Sequence, residues 1–232
     1  DAPVKSKILT AEEALDLPHV FIGPTWMRDD EGRWVLPERT LGWQIAGWCA
    51  TYLNTLDPDS GDTSFRFTNE QLRFVLWWYA VDESGDFIYR TGVLQRMKGW
   101  GKDPLLAVMC LVELVGPSQF SHFDPDSGEA IGKQHPHAYV QVTAVNQSQT
   151  SNTMDMIPSL MTDALVAQYG IKAGAEIIRA NQGRQKLVAV TSSYRAIEGK
   201  RTTFTLLNET HHWILGNGGI KMYETIDGNA TK

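Results

Sequence analysis

FIYRTGVLQRMKGWGKDPLLAVMCLVELV, residues 87–115, divides into an apolar and aromatic run, a glycine-containing basic loop and a second apolar run. The first run, residues 87–95, predicts a strand, and residues 104–115 predict a buried helix. The loop between them is RMKGWGKDP, residues 96–104. A glycine directly before a lysine, here Gly101 and Lys102, lets backbone N–H groups curl around a phosphate while the ammonium reaches the outer phosphates. Gly99 and Trp100 belong to the same loop, and Pro104 suits a first helical turn, where its missing N–H is no loss. Two positions depart from the usual phosphate-loop pattern. Arg96 stands six residues before the lysine, where a glycine is usual, and Asp103 follows the lysine, where Ser or Thr is usual. The competing reading of the loop is a basic strand-to-helix connection with no ligand.

Outward from this loop the pattern stays regular. TNEQLRFVLWWYAV, residues 68–81, opens with a capping box from Thr68 to Gln71 and continues with an apolar helical face. Residues 138–145 predict a strand and 153–169 one amphipathic helix. Strand-like runs follow at 176–180, 187–191 and 202–207. Strands alternating with helices predict an α/β fold with a mostly parallel central sheet, helices on both faces, and ligands beyond the carboxyl ends of the strands. Residues 65–232 form the expected core. Residues 1–64 are rich in Trp, Pro, Asp and Gly and read as an N-terminal arm, packed through Trp26, Trp34, Trp43 and Trp48, with one helix over 41–56. The pentapeptide DPDSG occurs at Asp57 and again at Asp124, and is turn chemistry rather than a repeat.

Composition limits the function classes. The 232 residues carry a formal charge of -6, and residues 1–64 hold 11 Asp and Glu against 5 Lys and Arg, so all the net acidity lies there. That balance excludes coating nucleic acid by bulk positive charge. Cys49 and Cys110 lie far apart in apolar surroundings and read as buried thiols. No run is long and apolar enough for a membrane span, and the first residues lack the build of a secretion signal. The expectation is a protein with no membrane, not secreted, working inside a cell.

The second chemical element is TFTLLNETHHW, residues 203–213, an apolar strand ending in Asn208 and Glu209. Nucleotide hydrolases place a carboxylate pair at this point, the first holding magnesium and the second orienting the attacking water. Glu209 retains the second role, and Asn208 is an amide. The competing reading of Glu209 is a solvated residue at a strand end.

With these pieces in order (residues 67–82, 89–107, 138–157, 190–201 and 205–213) the chain resembles the large terminase subunits of tailed bacteriophages. The resemblance covers about residues 65–230. It implies a P-loop NTPase that couples ATP hydrolysis to translocation of double-stranded viral DNA into a preformed capsid. It further implies a homo-oligomeric ring docked on the portal protein in the host cytoplasm, with a small terminase subunit as partner. A nuclease domain of ribonuclease-H type and a coupling strand are expected beyond these residues. By resemblance Lys102 holds phosphate, Glu209 is catalytic, ATP and Mg2+ are the ligands, and Arg96 or Lys98 senses the outer phosphate. Gln71 resembles the adenine-contacting glutamine of the family, and the capping box remains its other reading. The alternative function is a degenerate module that binds ATP without turnover.

The departures at Asp103 and Asn208 form an exchange: a carboxylate follows the lysine as Asp103, and the strand end carries the neutral Asn208. Both are therefore expected near the Mg2+ ion. Zinc at the pairs His135/His137 or His211/His212 is not expected, for want of a nearby cysteine or acidic cluster at ligand spacing. His211 is read instead as a supporting contact or a link to a partner. Arg179, Arg184, Arg195 and Arg201 are candidates for an arginine supplied to a neighbouring subunit.

Overall fold

In the computed structural model, residues 23–56, 61, 63–191 and 201–230 are described. Two compact units are present, Asp1–Leu36 and Pro37–Lys232. In the first, Trp26 and Trp34 meet edge to face with ring centroids 6.0 Å apart, and the Arg28 guanidinium lies 3.6 Å over the Trp34 ring.

The second unit begins with helix α1 (Gly42–Tyr52), whose Leu41, Ile45 and Cys49 side is fully buried. Trp43 is half exposed, whereas Trp48 packs on the core beside Tyr52. Helix α2 (Asn69–Trp78) starts as the sequence predicts: the Thr68 hydroxyl accepts from the Gln71 N–H at 3.3 Å, and Gln71 Oε1 accepts from the Thr68 N–H at 3.0 Å. Helix α3 (Lys102–Val115) is buried at every position from Ala107 onward, because its run of apolar residues leaves no polar face in that stretch.

A hairpin, β1 (Gln119–Phe123) and β2 (Ala130–Lys133), follows. Asp124 Oδ1 closes its turn by accepting from the Asp126 and Ser127 N–H groups, which is the turn chemistry of the second DPDSG. The first copy, from Asp57, falls mostly outside the described residues. Next come β3 (Tyr139–Ala144), α4 (Gln147–Leu160), α5 (Asp163–Tyr169), β4 (Lys172–Ala173), β5 (Ile177–Ala180), β6 (Gln185–Thr191), β7 (Phe204–Leu207) and α6 (Gly219–Ala230).

The five-stranded sheet has the order β4-β5-β6-β3-β7. β3 runs parallel to both β6 and β7, with Val142 opposite Ala189 and Leu206, and β4 and β5 extend this parallel core as an antiparallel edge. Residues 140–144 are all buried, so both faces of β3 are covered. Period-two alternation assigns the covers. Leu187, Ala189 and Leu206 point into the main core with α3 and α4, while Val188, Val190 and Leu207 pack with Trp213 and Met222 of the final helical segment. No helix among the described residues is long and apolar enough to cross a membrane.

Two predicted elements differ. The strand over residues 87–95 does not form. Phe87 makes one antiparallel bridge to Val81, and the chain then runs without a ladder, with Ile88 50% and Val93 85% exposed. A pleated segment becomes a strand only when a neighbour accepts its hydrogen bonds. This one instead passes the Trp78 ring at Gly92, where an added Cβ would lie 2.9 Å from the indole. The single helix over 153–169 is two helices. Pro158 lies near the end of α4, the Met161 N–H turns back to the Pro158 carbonyl, and Thr162 caps a new helix by accepting from the Leu165 N–H.

Candidate active site

The loop before α3 is bent by two glycines in left-handed conformations, Gly99 at φ 85° and Gly101 at φ 90°, which other residues adopt only at a cost. Gly101 caps α3, so the helix begins at Lys102, two residues before the predicted start, and the first-turn amides of Lys102 and Asp103 point out of the helix end. The Lys102 ammonium curls back over the loop and donates to the Arg96 carbonyl at 3.1 Å and the Met97 carbonyl at 3.3 Å. The loop therefore surrounds its own cation. Asp103 is half-buried in the first turn of α3, and Lys98 is exposed.

Glu70 of α2 pins this loop from outside. It accepts from Trp100 Nε1 at 3.0 Å and from Arg96 Nε at 2.8 Å, with Arg96 Nη2 at 2.6 Å. Burial acts upward on the Glu70 carboxyl, but the bonds from Trp100 and Arg96 and the charges of Arg96 and Arg73 outweigh it and hold the group below the usual range. Of the two candidate sensors, Arg96 is thus committed to Glu70. Gln71 is buried, and its Nε2 lies where a Cβ on Gly101 would come within 3.2 Å. One side chain therefore completes the capping box and backs the loop glycine.

At the other element, β3-type pairing continues past β7: the Asn208 N–H donates to the Thr143 carbonyl at 2.9 Å, and the Asn208 carbonyl accepts from Trp213 Nε1 at 3.1 Å. Asn208 is buried. Glu209 follows in a left-handed conformation, φ 52°, and turns the chain into a single 3-10 turn, Thr210–His212. Helix α3, which starts at Lys102, packs on β3, β6 and β7, the strand that leads to Glu209. Arg179, Arg184 and Arg201 are exposed, and Arg195 lies outside the described residues.

Three residues escaped the sequence reading. Glu70 has no local signal, since an acid in a first helical turn is common. Glu113 had one, as a lone acid inside the apolar run of α3. It is buried and accepts from the Tyr79 hydroxyl at 2.7 Å, and burial, opposed by that bond, pushes its carboxyl up to about 7. The same burial raises the Tyr79 hydroxyl well above its ordinary value, with the neighbouring Glu113 adding to it. Tyr79 was read only as part of an apolar face.

This arrangement, a sheet with a parallel centre and a glycine-bent loop capping a buried helix, is a mixed α/β fold similar to that of a phage large terminase. The crystal structure of the HK97 bacteriophage large terminase superposes with a TM-score of 0.58 at 16% identity, covering 83% of this chain and 35% of that one. In sequence the chain is 44% identical over 238 residues to the Gene 13 protein of Mycobacterium phage L5, and 43% identical over 240 residues to the Gene 13 protein of Mycobacterium phage D29. Both alignments cover 93% of this chain and 40% of the relative, so the chain spans about two fifths of the length of these relatives. No protein-family model matches it.

Proposed function

We propose that this chain is the ATP-hydrolysing part of a phage large terminase, acting as a subunit of a homo-oligomeric ring that drives double-stranded DNA through a portal into a procapsid, with a small terminase subunit as partner. The observation that carries the reading is the Lys102 ammonium held inside a loop bent by Gly99 and Gly101 at the start of α3. In that position the cation and the outward amides of Lys102 and Asp103 serve a triphosphate in place of the Arg96 and Met97 carbonyls. Glu209 orients the attacking water.

Magnesium fits the donors in kind, because Asp103 and Asn208 both present side-chain oxygen, the ligand type this ion requires. When bound, the ion neutralises phosphate charge. Asp103 at the first turn otherwise repels phosphate, so this residue is the one that places a cation between itself and the nucleotide. Gln71 backs Gly101 from α2, and in this proposal it couples adenine contact to the loop.

A phosphate-release assay with Mg2+ tests the proposal. Lys102→Ala and Glu209→Gln should each lower the rate by about a hundredfold or more. Asp103→Ser should also cripple hydrolysis, and Asp103→Ser with Asn208→Asp should recover part of it. Equal rates in the parent and Glu209→Gln would replace the motor by a module that binds ATP without turnover, the reading favoured by Asp103 and Asn208 at altered motif positions.

A further inference from the structure

Glu209 sits in a conformation that costs a residue with a side chain about 1 kcal/mol. The turn it starts is firmly tied. The His212 N–H donates to the Glu209 carbonyl and the Trp213 N–H to the Thr210 carbonyl, both at 3.0 Å, and the buried Trp213 ring is anchored through Nε1 to the Asn208 carbonyl. The outcome is a cluster. One carboxylate oxygen of Glu209 and one ring nitrogen from each of His211 and His212 all lie within 4.8 Å of one another. His211 Nε2 is 3.4 Å from Glu209 Oε2, and the two imidazole centroids are 3.9 Å apart.

Two imidazoles and a carboxylate are the donor set of borderline transition metals such as Zn2+, which take three protein ligands and leave one position open. Ligand atoms around such an ion stand roughly 3.3 Å apart, given metal–ligand distances of about 2.0–2.2 Å. Rotation of two exposed imidazoles closes the remaining gap from 4.8 Å, and their exposure gives an ion direct entry from solvent. Magnesium, which demands octahedral oxygen ligands, is disfavoured by the same donors.

We propose that Glu209, His211 and His212 form a binding site for a divalent transition metal of the Zn2+ type, and that its occupation withdraws the Glu209 carboxylate and silences hydrolysis. The second half rests on the function proposed above; the first does not. The sequence reading set zinc aside for lack of a nearby cysteine or acidic cluster at ligand spacing; the left-handed turn at Glu209 brings a single carboxylate to the two imidazoles.

The test uses tag-free chain and two readouts. In equilibrium dialysis against Zn2+, and in Co2+ titrations followed by visible absorption, the parent should bind one ion per chain at this cluster. His211→Ala/His212→Ala should weaken binding by about a hundredfold, and His135→Ala/His137→Ala should leave it unchanged. Equal binding by the parent and the His211/His212 variant, or loss in the His135/His137 variant instead, overturns the site. In the second readout, phosphate release in Mg2+ is compared with and without added Zn2+ for each protein. The parent's ratio should fall at least tenfold and the His211/His212 variant's should stay near one. Binding at the cluster with no change in the parent's ratio overturns the inhibitory role. A parent without hydrolysis in Mg2+ alone overturns the proposed function, and dialysis still decides the metal site.

Discussion

Removing the charge of Glu113 should change how stability depends on pH. The carboxyl is buried in the last turn of the helix that begins at Lys102, and its ordinary value of 4.5 is pushed up to about 7. Between those values the folded chain keeps a proton that the unfolded chain has released, so stability falls as pH rises from about 4.5 to about 7 and then levels off. At 1.36 kcal/mol for each tenfold change in proton affinity, the full cost is about 3 kcal/mol, most of which lies between pH 5 and pH 8. Glu113→Gln keeps an oxygen for the Tyr79 hydroxyl and cannot titrate. The assay is urea unfolding followed by tryptophan fluorescence at pH 5 and pH 8. The parent should lose roughly 2–3 kcal/mol more than the variant over that interval, and the difference between proteins removes every group they share. Infrared spectra at pH 6 should show a protonated carboxyl band in the parent that the variant lacks. Parallel pH dependences in the two proteins would refute the reasoning, since a carboxyl ionised at pH 5 in the folded state cannot be held by burial.

The loop and its support give two more expected outcomes. Glu70→Ala releases Trp100 and Arg96 and should weaken binding of a fluorescent ATP analogue by about fivefold, corresponding to about 1 kcal/mol of lost ordering; unchanged affinity would mean the loop holds its shape without α2. Thr68→Ala opens the capping box and should lower unfolding free energy by about 1 kcal/mol, seen as a lower urea midpoint at unchanged slope; no shift would mean that Gln71 is held by its packing alone.

What the residues reveal unaided is what depends on a few neighbours along the chain. The capping box at Thr68 and Gln71, the helix after Lys102 and the turn at Asp124 were all legible because their hydrogen bonds close within about four residues. The strand leading to Asn208 was legible for a related reason: an apolar run that ends abruptly in polar residues marks a buried strand and its tip. Pairing is not local in this sense. Residues 87–95 have the composition of a strand and lack one because no described neighbour completes a ladder with them, and β5 is antiparallel where alternation with helices pointed to parallel.

The site divides along the same line. The sequence by itself singled out the residues proposed above to carry the chemistry: Gly101 before Lys102, a carboxylate at Glu209, and the exchanged pair Asp103 and Asn208. Only the tertiary structure decided their surroundings. It turned Arg96 toward Glu70, set Gln71 behind Gly101, closed Glu113 in with Tyr79, and gathered His211 and His212 around Glu209. Motif residues are identified by spacing along the chain, but burial, charge partners and metal-ligand distances arise between residues that only folding brings near one another.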